Sequence, residues 1–206
     1  MKEPPTAAPP DVGPDARTDA SVIERSWHDP EWFGVIFDAY FAEIHGYVAR
    51  RLDPQAADDI ASETFHAAFR QRKRFDLSRG SARPWLYGIA TNLIAKHRRS
   101  EARKFRALGR LSGERSADGH EDRVVTRVSA QHMKGRLARV VGDLPADQRD
   151  VLLLVVLAGL SYEEAAQALD VPYGTVASRF SRARQKLRRA LGGVDPMVDQ
   201  EGPTDG

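Results

Sequence analysis

The chain contains no cysteine, which excludes disulfide scaffolds, thiolate metal sites and cysteine-based catalysis. A reducing compartment is compatible with that composition. Long apolar runs are missing too. The longest, VLLLVVLAGL at 151–160, falls far short of the about 20 residues a membrane-spanning helix needs, so no membrane insertion is expected. The N-terminal stretch MKEPPTAAPPDVGPDARTDA has no apolar core to act as a signal peptide and is rich in Pro, Ala and Asp. Residues 1–29 and 193–206 are therefore read as disordered tails on a soluble, cytoplasmic chain. Strand-like alternation is absent, which argues against a sheet. His28, His45, His66, His97, His120 and His132 are scattered without metal-ligand spacing, and neither a Gly-rich phosphate loop nor G-x-S-x-G occurs. No metal, no cofactor and no enzymatic activity are expected.

What is present is charge in blocks. Over 206 residues the net charge is only +2, so the balance of the whole chain says little about partners. Residues 172–190 nevertheless hold Arg179, Arg182, Arg184, Lys186, Arg188 and Arg189 with no acid, and 96–106 hold six bases against Glu101. Residues 53–63 invert this, with Asp53, Asp58, Asp59 and Glu63 and no base. Clustered signs in a nearly neutral chain indicate localised binding faces.

Hydrophobic spacing places helices beneath these blocks. Phe33, Ile36, Phe37, Tyr40, Phe41, Ile44, Tyr47 and Val48 recur at three and four residues and predict a helix over 31–51. Ile60, Phe65, Ala68 and Phe69 predict a second, over 55–73 after Pro54. FDLSRGSARP at 75–84 reads as a loop, and Trp85, Ile89 and Leu93 mark a third helix over 82–104. The fold class is all-α: a helical unit at 30–105, a polar flexible linker at 106–134 with a short helix near 123–134, and a second helical unit at 135–192. That second unit is small enough to gain stability from a partner.

Within it, Ser161 and Glu164 form a capping box that starts a short helix ending near Leu169. LDVPYG then turns the chain into a helix opened by Pro172. This is a helix-turn-helix pattern. At 100° per residue, Val176, Phe180, Ala183 and Leu187 fall within about 60° and form a buried stripe. Thr175, Ser178, Arg179, Arg182, Lys186 and Arg189 share a separate sector about 100° wide. A solvated face would mix signs; a DNA-reading helix needs hydroxyls and bases on one stripe, base edges meeting its first turns and phosphates its later ones.

Three stretches in this order and spacing resemble a bacterial RNA polymerase sigma factor of the extracytoplasmic-function type, across about 31–192. ADDIASETFHAAF at 57–69 is similar to the family's polymerase-clamp-binding helix, and GSARPWLYGIATNLIAKHRR at 80–99 to its −10 recognition and melting element. The run from Leu144 to Leu191 is similar to its −35-binding domain. The resemblance implies core RNA polymerase and promoter DNA as partners, an anti-sigma factor as a further one, and a nucleoid location when in holoenzyme.

The residues carried over by the resemblance fall into three sets. Asp58, Asp59, Glu63 and Thr64 are the implied polymerase contacts. An acidic helix start also complements the helix dipole, so helix stabilisation alone is the alternative there. Ser62 stands where the family often has glutamine. Arg79, Ser81, Arg83, Tyr87, Asn92, Lys96, Arg98 and Arg99 are the implied −10 contacts, because melting needs stacking surfaces and cations. Among the aromatics, Trp85 and Ile89 are read as core and Tyr87 as exposed; Asn92 can meet a base edge or serve packing. Thr175, Ser178, Arg179, Ser181, Arg182 and Lys186 are the implied −35 contacts, with Ala177 where family members often carry a polar or basic residue. A one-component repressor or response-regulator output domain would explain 144–191 but not the N-terminal unit.

Overall fold

A computed structural model describes residues 18–111 and 130–191. Among the described residues it contains eight α-helices and no strand. They are α1 (Asp19–Arg25), α2 (Phe33–Ala49), α3 (Pro54–Gln71), α4 (Arg83–Leu111), α5 (Ala130–Gly142), α6 (Ala146–Val156), α7 (Tyr162–Leu169) and α8 (Tyr173–Ala190). None of the described helices is long and apolar enough to cross a membrane.

The apolar stripes of α2, α3 and α4 face one another. Ile36, Ile44, Tyr47 and Val48 of α2 are buried with Ala61, Phe65 and Ala68 of α3 and Leu86, Ala90 and Ile94 of α4. Phe33 meets Phe69 edge to face at 5.4 Å, and Phe37 meets Phe65 at 5.0 Å, contacts that add to simple burial. Ile44→Ala in this close-packed centre would cost about 2–5 kcal/mol. Helix α3 starts where Asp53 accepts from the Ala56 N–H at 3.0 Å and Pro54 occupies the first turn, as its sequence demands. The loop before α4 reverses at Gly80, whose φ of 70° suits glycine.

The structure corrects the sequence reading at both ends of the first unit. Residues 18–29 of the expected tail 1–29 are folded, because α1 buries Val22 and Ile23 in the core; residues 1–17 lie outside the described residues. Asp19 holds α1 in place: its carboxylate accepts from Tyr40 Oη at 2.6 Å and from the Ala82 N–H at 2.7 Å. Burial and that hydrogen bond push the Tyr40 pKa up to about 12. Three apolar residues in seven, Ala20, Val22 and Ile23, are too few to give a readable period, so the sequence missed this helix. At the other end, α4 runs to Leu111, into the expected linker, and α5 begins at Ala130 inside it. The remaining linker, 112–129, and the tail 193–206 lie outside the described residues.

The C-terminal unit builds its core from Val151, Leu154, Leu160, Ala165, Val176, Phe180, Ala183 and Leu187, all buried. It also packs on the first unit, chiefly α7 against α4. Three arginines of the first unit cross over. Arg51 pairs with Asp150 of α6 at 2.5 Å. Arg50 donates to the Leu157 carbonyl at 3.5 Å, and Arg83 donates to that of Ala158. These carbonyls follow the C-terminal end of α6, where a helix is electronegative and short of donors.

Candidate nucleic-acid and polymerase interfaces

The helix-turn-helix forms as its local signals dictate. Ser161 accepts from the Glu164 N–H at 3.1 Å, and Glu164 accepts from the Ser161 N–H at 2.8 Å. The turn after α7 passes through Asp170 at φ 53°, a left-handed residue at the helix end; Asp is one of the few non-glycine types that enter this conformation readily. Extended Pro172 then opens α8. The predicted stripe Val176, Phe180, Ala183 and Leu187 is buried, so the opposite sector turns outward.

Ser181, Arg182 and Lys186 are exposed, and Thr175, Ser178 and Arg179 are half-buried. Ser178 donates its hydroxyl proton to the Thr175 carbonyl at 3.0 Å, which leaves its oxygen free to accept. Arg179 pairs with Asp147 of α6 at 3.1 Å and so is partly neutralised from within the unit. From Thr175 to Lys186 the stripe runs about 16 Å along the axis, enough to lie across a major groove about 12 Å wide. Tyr173, half exposed and 6.0 Å from the Tyr162 ring, stands in the first turn beside it. The sequence reading passed over this residue; an aromatic directly after Pro172 was the signal available.

The residues of 79–99 are dispersed. Asn92, Lys96 and Arg99 are exposed on α4. Arg79 is exposed and pairs with Asp76 at 3.3 Å, while Ser81 is half-buried and donates to Asp19 at 3.3 Å. Tyr87 is a correction: it is 1 % exposed, not the free aromatic expected. Its ring meets Tyr47 edge to face at 4.9 Å and its hydroxyl donates to Glu43 at 2.9 Å; burial and that bond push its pKa up. Trp85 and Ile89, expected in the core, are half-buried and line an open cleft of about 510 Å³ with Arg74, Arg79 and Asn92. The two aromatics have exchanged roles because the helix packs on α2 and α3 through its Leu86–Tyr87–Ala90 side. Arg98 is turned inward, donating to the Arg51 carbonyl at 2.9 Å.

Arg83 also departs from a free DNA contact. Its guanidinium bonds Glu43 at 2.6 Å and the Ala158 carbonyl, with Glu164 at 3.8 Å. Burial works to lower its pKa, but the Glu43 hydrogen bond and charge prevail and raise it, so it is held charged.

On α3, Asp58 and Asp59 are exposed and Glu63 is half-buried. Asp58 lies 2.7 Å from His45 Nε2, and Glu63 3.0 Å from Arg70. Thr64 is a second correction: it is fully buried and donates to the Ile60 carbonyl at 2.7 Å, so it cannot reach a partner. The His45 ring that meets Asp58 stacks on Phe41 at 5.8 Å, and Phe41 stacks in turn on the partly exposed Phe37 at 4.7 Å, an apolar stack that the charge pattern did not reveal. No cluster of His, Asp or Glu able to hold a metal occurs among the described residues.

Comparison with known proteins gives two family matches, to Sigma-70 region 2 over residues 36–104 and to Sigma-70 region 4 over 134–187. The ECF RNA polymerase sigma factor SigC of Mycobacterium tuberculosis is 38% identical over 151 residues, covering 70% of this chain and 75% of that protein. The ECF RNA polymerase sigma-E factor of Escherichia coli K12 is 31% identical over 197 residues, covering 88% and 96%. Among solved structures, CnrH in complex with the cytosolic domain of CnrY aligns with TM-score 0.58 and 24% identity, over 84% of this chain and 97% of that one. The sigma factor RpoE bound to the anti-sigma factor NepR, from Bartonella quintana, aligns with TM-score 0.56 and 22% identity, over 78% and 96%.

Proposed function

The chain belongs to the sigma-70 family of RNA polymerase sigma factors, in its extracytoplasmic-function class, and on that premise we propose how its surfaces divide the work. It is a transcription initiation factor that associates with core RNA polymerase and directs it to promoters. Helix α8 reads the −35 element through Thr175, Ser178, Ser181 and Arg182, with Arg179 and Lys186 toward phosphate. The −10 strand runs over Arg79, Asn92, Lys96 and Arg99, with Trp85 as the stacking surface in place of Tyr87. Asp58, Asp59 and Glu63 dock on a basic surface of the polymerase. The observation that carries this is the one-sided stripe of α8, exposed at the second helix of a capped helix-turn-helix. The work is done in the cytoplasm, on the nucleoid when the chain is in holoenzyme, without catalysis by the chain itself. Two solved relatives are held by CnrY and by NepR, and an anti-sigma factor is accordingly proposed as a regulator of this chain.

The test is reconstitution. Core polymerase and the purified chain should give run-off transcripts from DNA that the chain selects, with none from core alone. Failure to co-purify with core enzyme and to start transcription would leave only a DNA-binding regulator.

A further inference from the structure

Resting on the reading of α8 above, we infer that Tyr173 and Ala177 form an apolar reader in its first turns, which takes the C5 methyl group of thymine in the −35 element. Four large hydrophobic residues stand exposed among the described residues, Phe37, Phe105, Val156 and Tyr173, and Tyr173 is the one on α8. It is 51 % exposed at the start of a helix whose other large apolar side chains, Val176, Phe180 and Leu187, are buried. The core does not need it. Tyr162 already closes that core, its ring meeting Phe180 at 5.3 Å. Tyr173 leans on the outside of Tyr162 at 6.0 Å and keeps its other side in solvent. The ring is also held in place. Pro172 fixes the backbone leading into α8, and Tyr162 backs the ring. A side chain ordered before binding loses little freedom on contact.

The position of the ring identifies its ligand. At 100° per residue, Tyr173, Ala177 and Ser181 fall within about 80° and form one row; Ser178 and Arg182 follow about 60° and 100° further round. The row opens with two apolar members, and half-buried Ala177 is too short to hide the ring. Gly174 stands between the rows, and a Cβ there would meet nothing within 4 Å, so no side chain in the first turn keeps a duplex off the ring. Tyr173 and Ala177 lie about 6 Å apart along the axis, close to two base steps of about 3.4 Å. In the major groove the apolar group on a base edge is the thymine methyl, and apolar side chains read it. No acid occurs from 172 to 190, so the patch is set in a surface that attracts a polyanion. Hydrogen-bonding Ser178 and Arg182 on one row and an apolar pair on the next let a single helix read two kinds of base edge.

The test changes the DNA before it changes the protein. Holoenzyme selects its −35 element from randomised duplexes, and each selected thymine is then replaced, one at a time, by deoxyuridine, which removes the methyl and keeps the base pair. Burial of one such carbon is worth about fourfold in affinity. Wild-type holoenzyme should therefore bind about fourfold more weakly, by fluorescence titration, when one thymine or either of two adjacent thymines is replaced. Holoenzyme carrying Tyr173→Ala should show no penalty at those positions, and Tyr173→Phe, which keeps the ring, should retain it. A purely structural role for Tyr173 would instead lower affinity alike on thymine and deoxyuridine duplexes. A selected element without thymine, equal binding of both duplexes by the wild type, or an unchanged penalty in Tyr173→Ala would overturn the inference. The wild-type comparison alters the DNA alone, so it decides even where a variant folds poorly. Promoter-dependent transcription by the wild-type holoenzyme tests the sigma reading itself, and a transcribing holoenzyme with no methyl penalty sinks this inference while leaving that reading in place.

Discussion

The two surfaces assigned to promoter DNA stand in opposite conditions. On α8 the apolar stripe is satisfied inside its own unit, and Ser181, Arg182 and Lys186 point into solvent. On α4 one side is buried against α2 and α3, and the next side, with Trp85, Gly88 and Ile89, lies against or beside α7 of the other unit. The difference teaches that a recognition helix which buries one stripe is ready as folded, whereas a helix with two packing partners needs one of them removed. Of the two surfaces proposed to read promoter DNA, one is thus open and the other partly covered.

Three variants break or sharpen that contrast, in descending order of effect. The largest is Asp150→Ala. It leaves the Arg51 guanidinium buried without its anion, and breaking such a pair costs about 3–5 kcal/mol. The loss falls on the contact between the units, so urea unfolding of the full chain should begin earlier and divide into two transitions; one unshifted transition would show that the pair does not couple the units. Next is Asp58→Ala with Asp59→Ala and Glu63→Ala. These side chains are exposed or half-buried and end the helix's acidic run, so the fold should survive. Charged hydrogen bonds are worth about 1.5–3 kcal/mol, and core-polymerase affinity should fall tenfold or more, measured by fluorescence titration. Equal affinity in the folded variant would remove α3 from the polymerase contact. The smallest is Ser161→Ala, which deletes the α7 cap at about 1 kcal/mol. Because α7 packs on both α8 and α4, hydrogen exchange should quicken in α7 and at its contact with α4; protection equal to the wild type there would show that the cap does not hold that contact.

These two surfaces also mark how far the sequence could be read. The α8 stripe, the Ser161–Glu164 box and the turn before Pro172 were legible because each depends on residues within one turn of helix or one short loop. Helices α2, α3 and α4 were legible from their period, α2 and α3 with ends displaced by one or two residues and α4 running on to Leu111. The position of Tyr87 was not. Trp85 and Tyr87 stand about 200° apart on the helix, so the period put Trp85 inside and left Tyr87 out, whereas packing on α2 buries Tyr87 against Tyr47 and leaves Trp85 at the cleft. Thr64 is similar: it follows Glu63 at the end of the acidic run, yet donates to Ile60 inside the core. The roles of Arg51 and Arg83 were out of reach, since their partners lie 99 and 75 residues away and a basic residue looks the same whether it faces DNA or another domain.

The central proposal is that α8 reads sequence and is not a general anion surface. The direct measurement is promoter binding by holoenzyme carrying Arg182→Ala, on matched and altered −35 duplexes across several salt concentrations. A bidentate arginine contact to guanine is worth about 1–3 kcal/mol of discrimination, so the preference for the matched duplex should fall about fivefold to a hundredfold while the salt dependence changes little. Equal loss on both duplexes, with the salt slope reduced by about one unit, would place Arg182 on phosphate and contradict the base-reading role.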